Sequence, residues 1–245
     1  MVSTWGSRLI RLAAAAALLL PVSPAFAQWT GKGQLGLALS TGNGDSMNLN
    51  ARAEVKHTVD EWQRRLAISA VYESDDDEST SQMFEVEGDS RYSFNPRDFW
   101  FGSFRYQNDR FSGFRYQATI AGGIGHRFID TDRTKLTGQF GLGFKATETR
   151  DAIDPATQLL VPGAKTDSIA AVGGLDWEHK VTDTTTLFNN FAFEAAKQNN
   201  FLRNEIGVSV AMTSRLALAV AYTVRYNTDP PVGYDNTETL LTANI

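Results

Sequence analysis

WTGKGQLGLALS, residues 29–40, is the stretch on which the reading of the chain turns. Trp29, Gly31, Gly33, Leu35, Leu37 and Leu39 fall on one side of an extended chain, and Thr30, Lys32, Gln34, Gly36, Ala38 and Ser40 on the other. That period of two belongs to a strand. Thr41-Gly42-Asn43-Gly44-Asp45-Ser46 follows, made of residues that accept positive φ or form side-chain turns, so the chain can reverse there. MNLNARAEVKHTV, residues 47–59, answers with Met47, Leu49, Ala51, Ala53, Val55 and His57 against Asn48, Asn50, Arg52, Glu54 and Lys56. A soluble sandwich would bury the apolar face against a second sheet, whereas a transmembrane barrel turns it to lipid and keeps the charged face inside.

The same alternation repeats to the end of the chain. Leu66, Ile68, Ala70 and Tyr72 oppose Arg65, Ser69 and Glu73, and Phe84, Val86 and Tyr92 oppose Glu85, Glu87, Asp89 and Arg91. Four alternating charges in one strand require a wet or charge-paired interior. Residues 99–109 carry aromatics on both faces, and taking Trp100, Gly102, Phe104 and Tyr106 as outward keeps them in step with their neighbours. Ile120, Ile124 and Phe128, then Leu136, Phe140, Leu142 and Phe144, then Ile169, Leu175 and Trp177 continue the apolar face. Phe191 and Phe193, then Ile206, Val208 and Val210 opposite Arg203 and Glu205, then Leu218, Val220, Tyr222 and Val224, and finally Leu241 and Ala243 complete it. The expected architecture over residues 28–245 is all-β, a transmembrane antiparallel up-and-down β-barrel of about 12 strands, each long enough for a tilted membrane strand.

Residues 1–27 are set apart as a cleaved secretory signal, with Arg8 and Arg11 around an apolar core and Ala25-Phe26-Ala27 as a small-x-small cleavage site. The signal holds two of the 23 basic residues and none of the 28 acidic ones, which takes the net charge from −5 to about −7 and argues against a nucleic-acid partner. The chain has no cysteine, so neither a disulfide framework nor a thiolate metal site arises.

Reversals near residues 60, 96, 132, 183 and 214 are brief, and those near 43, 77, 112, 157, 198 and 231 are mostly longer, as periplasmic turns and extracellular loops are in outer-membrane barrels. Trp29, Trp62, Trp100 and Trp177 all fall on the apolar face at the short-turn ends, where an interfacial girdle would sit. Both patterns point to the outer membrane of a Gram-negative bacterium; the expected partners are lipid, lipopolysaccharide and the barrel-assembly machinery, and the expected state is a monomer.

The order and spacing of several motifs resemble the YdiY-like, salt-stress-induced outer-membrane proteins, a family catalogued as a domain of unknown function. The resemblance rests on Thr41-Gly42-Asn43-Gly44, on Asp109-Arg110-Phe111-Ser112-Gly113-Phe114, on Gly123-Ile124-Gly125-His126-Arg127-Phe128 and on the glycine-aromatic run at 135–144. It departs from the pattern of such barrels at Ile245, where they usually carry an aromatic residue. The resemblance implies an outer-membrane location and a stress association, and it brings no catalytic residues.

No enzyme is expected. His57, His126 and His179 fall on the apolar face in the tryptophan belt, away from any nucleophile and from one another, and Asp75-Asp76-Asp77-Glu78 lacks the spaced ligands of a calcium loop. No cofactor or metal site follows. A barrel hydrolase acting on lipid or peptide is the rival reading. The candidate site is the lumen, lined by Lys32, Arg52, Glu54, Lys56, Arg65, Glu73, Glu85, Glu87, Asp89, Arg91, Arg203 and Glu205. These groups can pair across the interior and fill it, or leave a narrow water path for small solutes or ions, and strand number does not choose between the two.

Overall fold

The computed structural model describes residues 28–40, 46–75, 78–109, 112–154 and 157–245, without the side chains at 37–40, 46–48, 73–75 and 78–81. The expected signal segment, the Thr41-Gly42-Asn43-Gly44 turn, Arg110-Phe111, the acidic loop's Asp76 and Asp77, and the Glu73 side chain lie outside the described residues.

Long strands run up and down in sequence order. They are β1 (Trp29–Ser40), β2 (Ser46–Val59), β3 (Trp62–Asp75), β4 (Glu78–Ser93), β5 (Asp98–Asp109), β6 (Phe114–Asp130) and β7 (Thr134–Thr149). After a small hairpin, β8 (Ala152–Ile153) and β9 (Leu160–Val161), come β10 (Lys165–Lys180), β11 (Thr185–Ala196), β12 (Phe201–Ala211), β13 (Ala217–Asn227) and β14 (Thr237–Asn244). All except β8 and β9 form one 12-stranded antiparallel sheet in chain order, and Leu35 and Ile245 exchange backbone hydrogen bonds at 3.1 and 3.2 Å where β1 meets β14. The fold is the expected barrel of 12 strands. The segment between β7 and β10, expected as plain loop, instead carries the β8–β9 hairpin, because β7 and β10 stay paired as far as Glu148 and Lys165 and hold its stem together.

The alternation in the sequence is obeyed on the outer wall. Leu35, Val55, Leu66, Ile68, Phe84, Ile120, Ile124, Phe140, Leu142, Phe144, Ile169 and Leu241 are all exposed, an arrangement that only a lipid solvent makes favourable. Short turns gather at one end, and four are built alike. Asn95 Oδ1 accepts hydrogen bonds from the backbone N–H of Arg97 and Asp98 at 2.8 and 2.7 Å, while Thr131, Thr182 and Thr213 Oγ1 each accept one from the N–H three residues on, at 2.9, 3.0 and 3.0 Å. These side chains mimic a backbone turn and satisfy donors that the strands leave behind.

The double-aromatic strand β5 resolves into two roles. Trp100, Phe104 and Tyr106 point outward and are exposed, whereas Phe99 and Phe101 are buried inside with Ala121, Ala170 and Val172. The interior admits those two rings because Gly125 and Gly123 face them on β6. A Cβ added to Gly125 would lie 2.1 Å from Phe99, and one added to Gly123 would lie 2.8 Å from Phe101. At the opposite, loop end, Gly113 has φ +77°, and a Cβ there would strike Tyr234 and Pro231 of the 228–236 loop. The β13–β14 connection therefore lies over the barrel mouth against the β5–β6 turn.

Candidate functional site

β4 carries three carboxylates, Glu85, Glu87 and Asp89, on its inner face, spaced two residues apart and so about 7 Å from one another along the strand. Their mutual repulsion is met by cations from both flanks and from across the barrel. On the near side, Arg65 of β3 donates to Asp89 Oδ2 at 2.6 Å and to Glu87 Oε2 at 3.3 Å, and Arg52 of β2 donates to Glu87 Oε2 at 3.1 Å. From the far side comes Arg203 of β12. β4 and β12 stand fourth and tenth in the sheet order, so they face each other across the diameter. Arg203 nevertheless reaches Glu87 Oε1 at 2.8 Å and Glu85 Oε1 at 3.1 Å.

A second knot crosses between β5 and β11. Arg105 Nε donates to Glu194 Oε1 at 2.7 Å, Thr119 Oγ1 donates to Glu194 Oε2 at 2.9 Å, and Lys145 Nζ lies 3.3 Å from the same oxygen. The Phe201 ring supports both cations, with the Arg105 guanidinium 4.3 Å and the Lys145 ammonium 5.7 Å from its centroid. Arg105 Nη1 also lies 3.7 Å from Glu85, which joins the two knots. With Glu54, which lies 3.6 Å from Arg65, the layer sets Arg52, Arg65, Arg105, Lys145 and Arg203 against Glu54, Glu85, Glu87, Asp89 and Glu194. It is neutral. The Glu85 and Lys145 side chains are only 1% and 2% exposed, whereas Arg52 and Arg65 keep 30% and 26%, so the layer is dry around Glu85 and Lys145 and wetter beside β2 and β3.

The two ends of the lumen differ. Toward the loop end the interior stays packed by Met83, Gln107, Asp109, Phe114, Gln117 and Phe201, all buried. Toward the turn end it is packed on one side by the buried Phe99 and Phe101 and wet on the other. Asp176, which lies 3.5 Å from Arg91, and Lys56, which lies 3.3 Å from Glu54, each have side chains 49% exposed, and β12 and β13 offer the small residues Gly207, Ser209, Ala219 and Ala221 on the inner face.

Of the residues read from the sequence as lumen-lining, Arg52, Glu54, Arg65, Glu85, Glu87, Asp89, Arg91 and Arg203 are brought into the ion-pair layer and its edge. Lys56 lies at its turn-end margin, Lys32 is exposed opposite Glu54, and Glu205 lies one inward step from Arg203. The lumen-lining candidates did not include Arg105, Glu194 or Lys145, although Lys145 falls on the inward side of the sequence alternation. Parity carried the signal, since Arg105 stands between Phe104 and Tyr106, Lys145 between Phe144 and Ala146, and Glu194 between Phe193 and Ala195.

On the outer face at the turn end, Trp29, Trp62 and Trp100 are exposed, and Trp177 is half-buried with its ring stacked on His179 at 6.0 Å. Each histidine touches an aromatic ring of that belt, His57 on Trp29 at 4.2 Å and His126 on Phe128 at 4.9 Å. Among the described residues no group of three His, Asp or Glu side chains is placed to hold a metal ion.

Comparison with known proteins agrees with this architecture. The translocator domain of the autotransporter NalP from Neisseria meningitidis superposes with a TM-score of 0.51 at 11% identity, covering 98% of this chain and 92% of that one. The NanC porin gives 0.51 at 10% identity over 86% of this chain and 97% of its own. At such identities the likeness shows the fold, that of outer-membrane β-barrels. In sequence, the chain is 26% identical over 213 residues to the uncharacterized protein YdiY of Escherichia coli (strain K12), covering 85% of this chain and 79% of that protein. The profile of one family matches residues 33–245, and the chain belongs to that family, described as protein of unknown function DUF481.

Proposed function

We propose that the chain is a monomeric outer-membrane β-barrel of envelope maintenance that is closed to ions at rest, with its short turns in the periplasm and its longer loops outside. The observation that carries this reading is Arg203, which reaches in from the opposite wall to bind Glu85 and Glu87 in a charge-balanced layer whose central carboxylates are buried. A hydrated ion on the barrel axis would have to break pairs whose members are already desolvated, which is far costlier than displacing water from a polar wall. The non-catalytic reading is supported by the histidines, all three of which stand on the outer face against aromatic rings, none beside a lumen hydroxyl.

Passage of small solutes or ions is the second reading. It is favoured by the composition of the stopper, which is side chains rather than an inserted segment, above a vestibule wet enough to leave Asp176 and Lys56 half exposed. The association with salt or osmotic stress comes from the family resemblance. The discriminating experiment places the folded protein in planar bilayers. Silence at moderate voltage is the expected result, and discrete steps from the unaltered protein would replace the closed reading with the channel one. Turnover of a lipid ester or peptide by the same sample would overturn both.

A further inference from the structure

One cation on the lipid-facing wall has no counterpart in the lumen's ledger. Arg64 lies between the inward-facing Gln63 and Arg65, so it points out of the barrel at the turn end, where it is exposed. Its guanidinium sits 5.1 Å from the centre of the Trp62 ring, and among the described residues no carboxylate pairs with it, although Asp60 and Glu61 occupy the adjacent turn. The strand register sets Trp29, His57, Arg64 and Ser90 side by side across four strands. Trp29 stacks on His57 at 4.2 Å, and Trp62 packs on Tyr92 at 5.0 Å, so aromatic rings bracket the two nitrogen-bearing groups.

The other two histidines show what is different here. His126 Nδ1 is engaged by Asp98 at 2.6 Å and His179 Nδ1 by Thr134 at 2.9 Å, whereas His57 makes no side-chain hydrogen bond among the described residues. A guanidinium left facing lipid is costly unless it meets an anion at headgroup depth, and tryptophans mark that depth. A guanidinium fork beside an imidazole and a serine hydroxyl supplies the donors that a phosphodiester accepts. We propose that Arg64, His57 and Ser90, framed by Trp29 and Trp62, bind the phosphate of an anionic phospholipid in the leaflet at the turn end. This rests on the membrane-spanning reading above.

The test uses the folded chain in neutral maltoside micelles, titrated with short-chain phosphatidylglycerol, phosphatidylcholine or inorganic phosphate, with bound lipid counted by native mass spectrometry. The expected result is one phosphatidylglycerol retained per barrel in preference to phosphatidylcholine. Arg64→Gln should weaken it about tenfold or more, from the loss of a charged hydrogen-bond donor, and Arg64→Lys less. Arg133→Gln, which removes an exposed cation of the same rim that makes no ring contact among the described residues, should leave retention unchanged. Equal retention by Arg64→Gln, an equal loss in Arg133→Gln, or no preference over phosphatidylcholine would overturn the site, and displacement by inorganic phosphate would overturn a lipid as its ligand. Heat-modifiable gel mobility of each sample separates this failure from that of the barrel itself: a folded barrel that retains no phosphatidylglycerol sinks only the present proposal.

Discussion

At mid-height the lumen holds Arg105, Lys145 and Glu194 with side chains 10%, 2% and 10% exposed, while at the turn end Lys56 and Asp176 are each 49% exposed. Both places pair cations with carboxylates at similar distances, 2.7–3.3 Å in the first and 3.3–3.5 Å in the second. What separates them is water. At the turn end the ions keep much of their hydration, so pairing adds little beyond what solvent already supplies. In the middle the hydration is gone, and each charge depends on its partners for nearly all of its solvation. Identical chemistry therefore makes a wet rim in one place and a largely desolvated knot in the other. The difference is set by what lies around it, Phe201, Thr119 and the opposing wall in the first against open solvent on one side of Phe99 in the second.

The contrast breaks most sharply at Arg203. Arg203→Ala leaves Glu85 and Glu87 without their partner from the far wall, and a loss of about 3–5 kcal/mol is expected in the unfolding free energy measured by urea in lipid vesicles. The same variant should show conductance steps in planar bilayers that the unaltered protein lacks. A variant as stable and as silent as the parent would mean that the crossing does not close the barrel. A double-mutant cycle between Arg105→Ala and Glu194→Ala isolates the second knot, and a coupling energy of about 1–3 kcal/mol is expected for partners 2.7 Å apart at this depth. Coupling near zero would place that pair with the rim. The smallest effect belongs to the rim itself. Asp176→Asn, which weakens the pair with Arg91 while keeping the shape, should shift stability by less than about 1 kcal/mol and become undetectable at high salt. A larger, salt-insensitive loss would show the turn end to be as dry as the middle.

The outer leaflet-facing wall and the turn end were legible residue by residue. Leu35, Ile68, Ile120 and Phe144 are outward because a strand's side chains alternate, and that period needs no knowledge of what the strand packs against. The asparagine and threonine turns were equally readable, since an Asn or Thr that bonds the backbone three residues on acts within its own segment. β5 was harder. With aromatics on both faces, nothing within Phe99, Trp100 and Phe101 says which ring is inside, and the answer lies in Gly125 and Gly123 of the next strand.

By itself, then, the sequence determined that strands of this length alternate, that they follow one another up and down, and that acids and bases face the same interior as Arg52, Glu54, Glu85, Glu87 and Arg203 do. These are local properties, carried by a period of two and by turns of a few residues. Only the tertiary structure decided that Arg203 meets Glu85, 118 residues away, and that Arg105 meets Glu194, 89 residues away. Which strands face across a barrel depends on how many strands close it and how far they shear, and which charges become dry depends on what fills the space between them. Neither is written in any one strand, so the interior could be read as charged from the sequence, and as paired from wall to wall only from the fold.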